Sequence, residues 1–460
     1  MISLRSSCTG RRPVHFFQKL CGVAAGLTLA MAPLSFAMPA PAAAAAAAAS
    51  KAPRSSGFSI ADFYASRRDA LLWLAPSSGS AAQDLVALLE GANADGFEPD
   101  RYGVEALKKA LGEAWGGNAK ASRRADIMLS QAFVAYAADL MQDPGVGIIY
   151  VDAQLKPRAP APRVLLDEAA AAPSLAAYVR KLGWMNPMYG ELRQALVGKT
   201  YASERERQLL EVNLERARTL PAGKRRYVVV NTAAQRLTMY ENGREVDSMR
   251  VVVGKTKYPT PMMTALIRYA VLNPYWNSPP DLTAERIAPS VIKQGVKFLD
   301  SKGYEVLSDW GDNPTVVDPA EVDWKAVAEG KSELRVRQLP GPENAMGRIK
   351  FMFPNAEGIW LHDTPERELL NEAARLYSGG CVRLEDAPRF GQWLFGKRLE
   401  PEGSAPEQPV PLSMPVPVYI TYLTAIPSGG SIAYFDDIYG RDGARLAAMR
   451  PSAGSAVATR

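Results

Sequence analysis

The chain has 460 residues, is 47% hydrophobic and 22% charged, and carries a formal net charge of +6. That length exceeds one typical core, so two or more domains are expected, with the balance of an ordinary globular protein. Arg5, Arg11, Arg12 and Lys19 are the only charged residues in the first 37, so removing that segment leaves 6 − 4 = +2; nothing remains of the clustered basic face that nucleic-acid binding requires.

Residues 1–37 read as a secretory signal peptide: a basic start, an apolar run at 20–34, and Ser35-Phe36-Ala37 as a small-x-small cleavage site. An uncleaved membrane anchor is the alternative, but the run is short and Pro33 interrupts it. The Arg11-Arg12 pair leaves Sec and twin-arginine export both open. After cleavage no transmembrane span is expected. Residues 38–57, rich in Ala, Pro and Ser, read as a linker.

From 58 to 223 the apolar spacing is helical. Leu85, Leu88 and Leu89 share one face, and Ala125, Met128, Leu129 and Phe133 share another in a long helix over about 121–141. Residues 164–183 are again helical, and Ser203 with Glu206 forms a capping box. No nucleophile–base pair occurs here. This half reads as a helical scaffold, with substrate positioning as the alternative.

At Arg226 the period changes to that of strands. The run 227–230, the alternation at 236–240 and the return at 249–253 predict three strands, with a hairpin turn at Asn242-Gly243. Further strands are expected at 417–424 and 431–435. The expected architecture is α+β and multidomain: a helical scaffold, then a β-rich domain over 224–446. Within it, 281–333 reads as an insertion, a lid over a cleft or a plain surface excursion. Residues 447–460 read as a disordered tail.

Removing residues 1–37 leaves one histidine, His362, and one cysteine, Cys381. A thiol is a nucleophile only as thiolate and needs a base or a positive environment; imidazole is the usual base near neutral pH. Residues 359–361 read as a buried strand ending at His362, and 366–376 as a helical crossover that folds the chain back. Ser378-Gly379-Gly380 then precedes Cys381. The amides of Gly380 and Cys381 are candidate oxyanion donors, and Arg383 a candidate fork for a substrate carboxylate. The bland alternative is a buried cysteine and a satisfied core histidine. One His and one Cys leave a metal two ligands short, and no cofactor is expected.

This stretch resembles the signature of the L,D-transpeptidases with a YkuD-like catalytic domain, where an upstream His faces a Ser-x-Gly-Cys-x-Arg motif. The likeness extends to the long, scaffold-bearing branch of that family. It is carried by Val253-Gly254-Lys255 with Tyr258-Pro259-Thr260-Pro261, by Asn273-Pro274-Tyr275-Trp276-Asn277, and by Arg337-Gln338-Leu339-Pro340-Gly341-Pro342 with Asn344. Gly347-Arg348-Ile349-Lys350-Phe351, Leu361-His362-Asp363-Thr364-Pro365, Asp436-Asp437-Ile438-Tyr439-Gly440-Arg441-Asp442 and the scaffold residues Asn213-Leu214-Glu215-Arg216 continue it.

The resemblance implies peptidoglycan biosynthesis in the periplasm, with a role in cell shape, and 3→3 cross-linking of stem peptides through a thioester. Cys381, His362 and Gly380 would be catalytic. Arg383, Ser378, Gly379, Asp363, Tyr258, Trp276 and Asn277 would bind substrate. Carbapenems would acylate the cysteine, and other wall-synthesis proteins would be partners. Two departures stand out: Gly379 replaces a histidine common in relatives, and no wall-binding module lies between scaffold and catalytic domains. Wall-protein attachment, L,D-carboxypeptidase action and a non-catalytic wall-binding scaffold remain the competing readings. A papain-like endopeptidase is disfavoured, because that class places its Cys before its His.

Overall fold

Two buried carboxylates organise the helical half as firmly as its apolar faces do. The computed structural model describes residues 60–449 except 69 and 224, so the expected signal peptide and linker lie outside the described residues. The helices are α1 (Ile60–Ser66), α2 (Ala81–Glu90), α3 (Val104–Trp115) and α4 (Ala119–Leu140). After a two-residue strand β1 (Ile149–Tyr150) come α5 (Pro162–Ala171), α6 (Leu175–Arg180), α7 (Pro187–Val197) and α8 (Glu204–Ala217). Asp126, fully buried on α4, accepts the amides of Leu72, Trp73 and Leu74 and the Tyr64 hydroxyl. Asp95 likewise accepts from Tyr136, Tyr189 and Arg193. A buried charge is tolerable when hydrogen-bonded in this way. Ser203 caps α8 by accepting the Glu206 amide at 3.2 Å, while the Glu206 carboxylate reaches back to the Ala202 amide at 2.7 Å.

The period change at Arg226 marks the start of the nine strands that, with β1, make a ten-stranded sheet. They begin with β2 (Tyr227–Asn231), β3 (Arg236–Glu241) and β4 (Arg244–Gly254), joined at Asn242 and Gly243. Both turn residues have positive φ, 51° and 76°, as a type I′ hairpin requires. Strand β5 (Met263–Leu272) follows, then β6 (Trp276–Ser278). The next stretch holds α9 (Pro280–Leu282), a π turn at Thr283–Ile287, α10 (Ala288–Gln294), α11 (Lys297–Lys302), β7 (Tyr304–Leu307), β8 (Val316–Val317), α12 (Trp324–Ala328) and β9 (Arg335–Gln338). The main sheet resumes with β10 (Ile349–Met352), β11 (Leu361–His362), β12 (Leu376–Ser378) and β13 (Val382–Leu384). It is followed by α13 (Ala387–Phe395) and β14 (Gln408–Thr421). The hairpin β15 (Ala425–Ser428) and β16 (Ser431–Tyr434) and the helix α14 (Arg441–Met449) end the described chain.

The order β5-β10-β11-β13-β4-β3-β2-β14 returns to β5, because β14 also pairs with β5. The sheet therefore closes into a barrel, and closure removes the exposed edges that invite aggregation. Its interior is apolar: Val228, Val251, Ile267, Phe351, Leu361 and Val382 are all fully buried, with Phe390 of α13 among them. At ~25 cal/mol per Å2, each such side chain contributes about 1.5–3 kcal/mol.

Three expectations change. The insertion is wider than 281–333, since β6 and β9 frame a separate four-stranded sheet, β6-β9-β7-β8, over its own core of Ile287, Val291, Val306, Trp324 and Val336. The crossover at 366–376 is not an α-helix. It is a single 3-10 turn, Arg367–Asn371, after which Leu376 pairs with Val253 of β4 and pulls the chain into strand. Helix α14 runs to Met449, past the boundary at 446; residues 450–460 lie outside the described residues.

Scaffold and barrel are also less separable than the sequence suggests; both lie within one unit. Strand β1 pairs in parallel with β5, and Asp152 just after it accepts the Leu266 amide at 2.7 Å. Asn213 of α8 exchanges two 2.8 Å hydrogen bonds with Thr424. Arg216, 2% exposed, pairs with Asp442 and donates to the Tyr422 carbonyl at 3.0 Å. Arg216→Ala leaves Asp442 charged and buried without its cation, and should lower stability by about 3–5 kcal/mol. The double variant Arg216→Met with Asp442→Leu should recover most of that loss. Urea unfolding checks both; a single-variant loss below ~1 kcal/mol would show that this pair does not fasten the two halves.

Candidate active site

Strand register brings together residues far apart in sequence. Lys350 of β10 pairs with His362 of β11, and His362 pairs with Arg383 of β13. Their neighbours Ile349, Phe351, Leu361 and Val382 point into the barrel core. Alternation then puts Lys350, His362 and Arg383 on the opposite face. Cys381 lies two residues before Arg383 on that same face, diagonal to His362 on the adjoining strand. It is half-buried, and its thiol donates to the Gly358 carbonyl at 3.5 Å.

The loop carrying Cys381 is shaped by the residues the sequence singled out, acting on one another. The Ser378 hydroxyl donates to the Cys381 carbonyl at 2.5 Å and accepts the Gly380 amide at 3.1 Å. Ser378 thus shapes the loop that carries Cys381. The Gly380 amide, expected at an oxyanion, is engaged within the loop; the Cys381 amide has no partner among the described residues. Gly380 has φ +119°, a conformation L side chains rarely adopt. Its carbonyl accepts from Thr260 Oγ1 at 2.7 Å, and that oxygen accepts the Gly254 amide at 2.9 Å. A Cβ on Gly254 would lie 2.0 Å from the Tyr258 carbonyl oxygen and 3.1 Å from the Gly380 Cα, so only glycine fits.

His362 is 3% exposed, with Nδ1 2.6 Å from the Asp363 carbonyl oxygen. That acceptor calls for a proton on Nδ1, which leaves Nε2 unprotonated in neutral imidazole, and the Met346 carbonyl also acts on the ring. Burial, then the positive charges of Arg383 and Lys350, push the His362 pKa down to about 3. Burial raises the Cys381 pKa; the Trp360 amide, Arg383 and Lys350 oppose it. Both groups are therefore neutral at rest near pH 7.

The expected substrate ligands are placed as follows. Arg383 has a side chain 11% exposed, and one nitrogen of its guanidinium, Nη1, is paired with Glu366. The buried Asp363 carboxylate accepts from the Arg348 amide at 3.0 Å and Arg367 at 2.9 Å, holding the chain beyond His362. Gly379 is exposed, and a Cβ there would come within 3.1 Å of Leu282 in the inserted unit. A histidine at this position would displace Leu282. Tyr258 donates to Glu285 at 2.9 Å, linking the β4–β5 loop to the same unit. Trp276 and Asn277 sit in β6 of the small sheet, opposite Gln338 and Arg337, where no contact to His362 or Cys381 is found.

Three residues escaped the sequence reading: Lys350, Trp360, whose ring lies 5.7 Å from the Lys350 ammonium, and Glu407, whose charge acts on Lys350. The polar position between Ile349 and Phe351 was the available signal for Lys350. Among the described residues no group of three or more His, Cys, Asp or Glu could hold a metal, and no helix is long and apolar enough to cross a membrane.

The raised thiol pKa sets an expected outcome. Alkylation of Cys381 by iodoacetamide, followed by mass at its peptide, should be slower at pH 7 than for an ordinary thiol. It should rise through a midpoint above the usual value of about 8.5. A midpoint below 7 would mean a resting thiolate and overturn the neutral pair.

Comparison with known proteins agrees with this layout. Residues 225–410 match the model of the L,D-transpeptidase catalytic domain (YkuD), and residues 59–196 match that of the scaffold domain. A Haemophilus influenzae protein named "Putative L,D-transpeptidase" is 29% identical over 395 residues, spanning 83% of this chain and 78% of that one. Among solved structures, an L,D-transpeptidase from Mycobacterium smegmatis is 14% identical with TM-score 0.22, covering 43% of this chain and 58% of that chain. One from Enterococcus faecium is 12% identical with TM-score 0.21, covering 44% and 52%. With both of its halves matched in order, the chain belongs to the L,D-transpeptidase family, carrying a scaffold domain ahead of a YkuD catalytic domain.

Proposed function

We propose that this protein is an exported peptidoglycan L,D-transpeptidase that forms 3→3 cross-links through a thioester on Cys381. The observation that carries the reading is the neutral His362 imidazole held on the same sheet face as the Cys381 thiol. Substrate would be a tetrapeptide stem in the periplasm, with other wall-synthesis proteins as partners and cell shape as the process served.

The chemistry balances with these two groups alone. His362 Nε2 takes the Cys381 proton as Sγ attacks the carbonyl carbon of the third stem residue. Negative charge moves to the carbonyl oxygen, where the Cys381 amide is the available donor; loss of one such donor typically costs ~100- to 1,000-fold in rate. His362 then protonates the nitrogen of the departing D-alanine, leaving the thioester. An amine of a second stem attacks, gives its proton to His362, and the thiol is restored with that proton. Transfer between two neutral groups creates two charges in a partly buried site, so it is coupled to attack and does not precede it.

Cys381→Ala should abolish cross-linking with the fold intact, and muropeptide digests of cells with and without the protein should differ in 3→3 dimers. Dimers persisting at the full level in the variant would remove Cys381 from the mechanism. A digest altered only in tripeptide stems would point to hydrolysis, and an unchanged digest to a binding scaffold. Carbapenems should add covalently to Cys381, seen by intact mass; no adduct under conditions that acylate a family member would count against an active nucleophile.

A further inference from the structure

Lys350 is a half-buried cation of the candidate active site with no ion-pair partner among the described residues. It projects from β10 between the core residues Ile349 and Phe351, on the face it shares with His362, Arg383 and Cys381. The other charged groups around it are engaged. Arg383 is paired with Glu366, Asp363 with Arg367, and the Glu407 carboxylate accepts the Tyr275 amide at 2.6 Å. The Lys350 ammonium has no hydrogen bond or ion pair among the described residues. Its one close partner is the Trp360 ring at 5.7 Å, a contact of about 0.5–1 kcal/mol where exposed. That does not offset the desolvation of a half-buried lysine, which costs several kcal/mol for a fully buried ion. Burial accordingly lowers its pKa, with the distant charges of Glu407 and Cys381 opposing.

We propose that Lys350 binds the C-terminal carboxylate of the donor peptide, the D-alanine that leaves when the thioester forms. This inference rests on the transpeptidase reading and extends it to substrate recognition. Two strand spacings, about 10 Å, separate the Cys381 and Lys350 backbones, with β11 between them. A carbonyl carbon at Sγ and a carboxylate one residue further along the donor, about 3.8 Å of chain, fill that gap together with the lysine side chain. The same ammonium gives the site a cation for an anionic end that, unlike Arg383, has no carboxylate partner among the described residues. Once D-alanine departs, its carboxylate leaves with it and Lys350 is again unpaired, ready to repel an acceptor that arrives as an ammonium ion.

Two measurements test this. The first needs no peptide: the rates at which iodoacetate and iodoacetamide alkylate Cys381 in the wild type, Lys350→Met and Lys350→Arg. Both reagents meet one thiol, so any change in its ionisation cancels in the ratio. The iodoacetate-to-iodoacetamide ratio should fall about tenfold or more in Lys350→Met and be retained in Lys350→Arg; a ratio unchanged in Lys350→Met overturns the anion site. The second compares kcat/KM for a tetrapeptide donor ending in a free carboxylate with that for the same donor ending in an amide. The wild type should prefer the carboxylate, and Lys350→Met should reduce that preference by ~10- to 100-fold, as expected for a charge-assisted hydrogen bond. Equal losses on both donors would make Lys350 a support for β10 and overturn the proposal. If the wild type uses neither donor, the transpeptidase reading falls, while the alkylation ratio still decides whether Lys350 forms an anion site.

Discussion

The site depends on one short pairing: Leu361 and His362 of β11 against Val382 and Arg383 of β13. Two residues a side is too little backbone to hold itself, and parallel pairing is slightly weaker per residue than antiparallel. The pairing persists because both strands are clamped from outside. Strand β11 is held antiparallel to β10, β13 antiparallel to β4, and the sheet closes behind them through β14 and β5. Closure means that neither strand can slip in register without moving its core residues, Leu361 and Val382, out of the barrel interior. Placement of His362 and Cys381 is thus enforced by apolar packing on the far side of the sheet.

The same logic explains why the scaffold cannot be regarded as a tethered appendage. Asn213-Leu214-Glu215-Arg216 on α8 and the 436–442 segment lie more than two hundred residues apart, yet meet: Arg216 holds Asp442, and Glu215 accepts from Arg445 at 2.6 Å. Thr424 and Ala425 leave the barrel directly into the scaffold, Ala425 being part of the scaffold core. Tyr422, pinned between them, donates to Asp437, and Tyr439 stacks on it while donating to the Gly254 carbonyl at 2.6 Å. Gly254 is the residue against which the Cys381 loop closes. A continuous set of hydrogen bonds therefore runs from α8 to the nucleophile loop.

Much of this was legible in the residues. Strands β2 to β4, the Asn-Gly hairpin, the α4 span and the capping box at Ser203 all follow local rules of period and capping, and local rules read well from sequence. What failed was non-local. The stretch at 366–376 has leucines at helical spacing, but Leu376 is claimed by Val253 of β4, a contact no window of neighbouring residues contains. The insertion was drawn too narrow because β6 and β9, its framing strands, become a pair only in three dimensions. At the site, the sequence located the cysteine and histidine by their rarity. It did not pair Arg383 with Glu366, 17 residues away, and it passed over Lys350, whose relevance comes solely from register with His362.

That pairing bears on what the positive charges do. Arg383 and Lys350 each lower the pKa of His362 and of Cys381 together. Proton transfer from thiol to imidazole depends on the difference between the two, so a cation that lowers both shifts that difference less than it shifts either value. Burial is the largest cause at both groups, and it favours the neutral state. The leverage of the two cations falls mainly on charge outside the proton transfer: the oxyanion that develops on the scissile carbonyl, and any anion the substrate brings. Arg383 is ion-paired with Glu366 yet still acts on His362 and Cys381. Lys350 has no ion-pair partner among the described residues, and at an effective dielectric near 20 a unit charge about 4 Å away would gain about 4 kcal/mol from it. On the proposed reading, the electrostatics of the face are set for the substrate's charges, and Cys381 with His362 would supply a proton path that is idle until a carbonyl arrives.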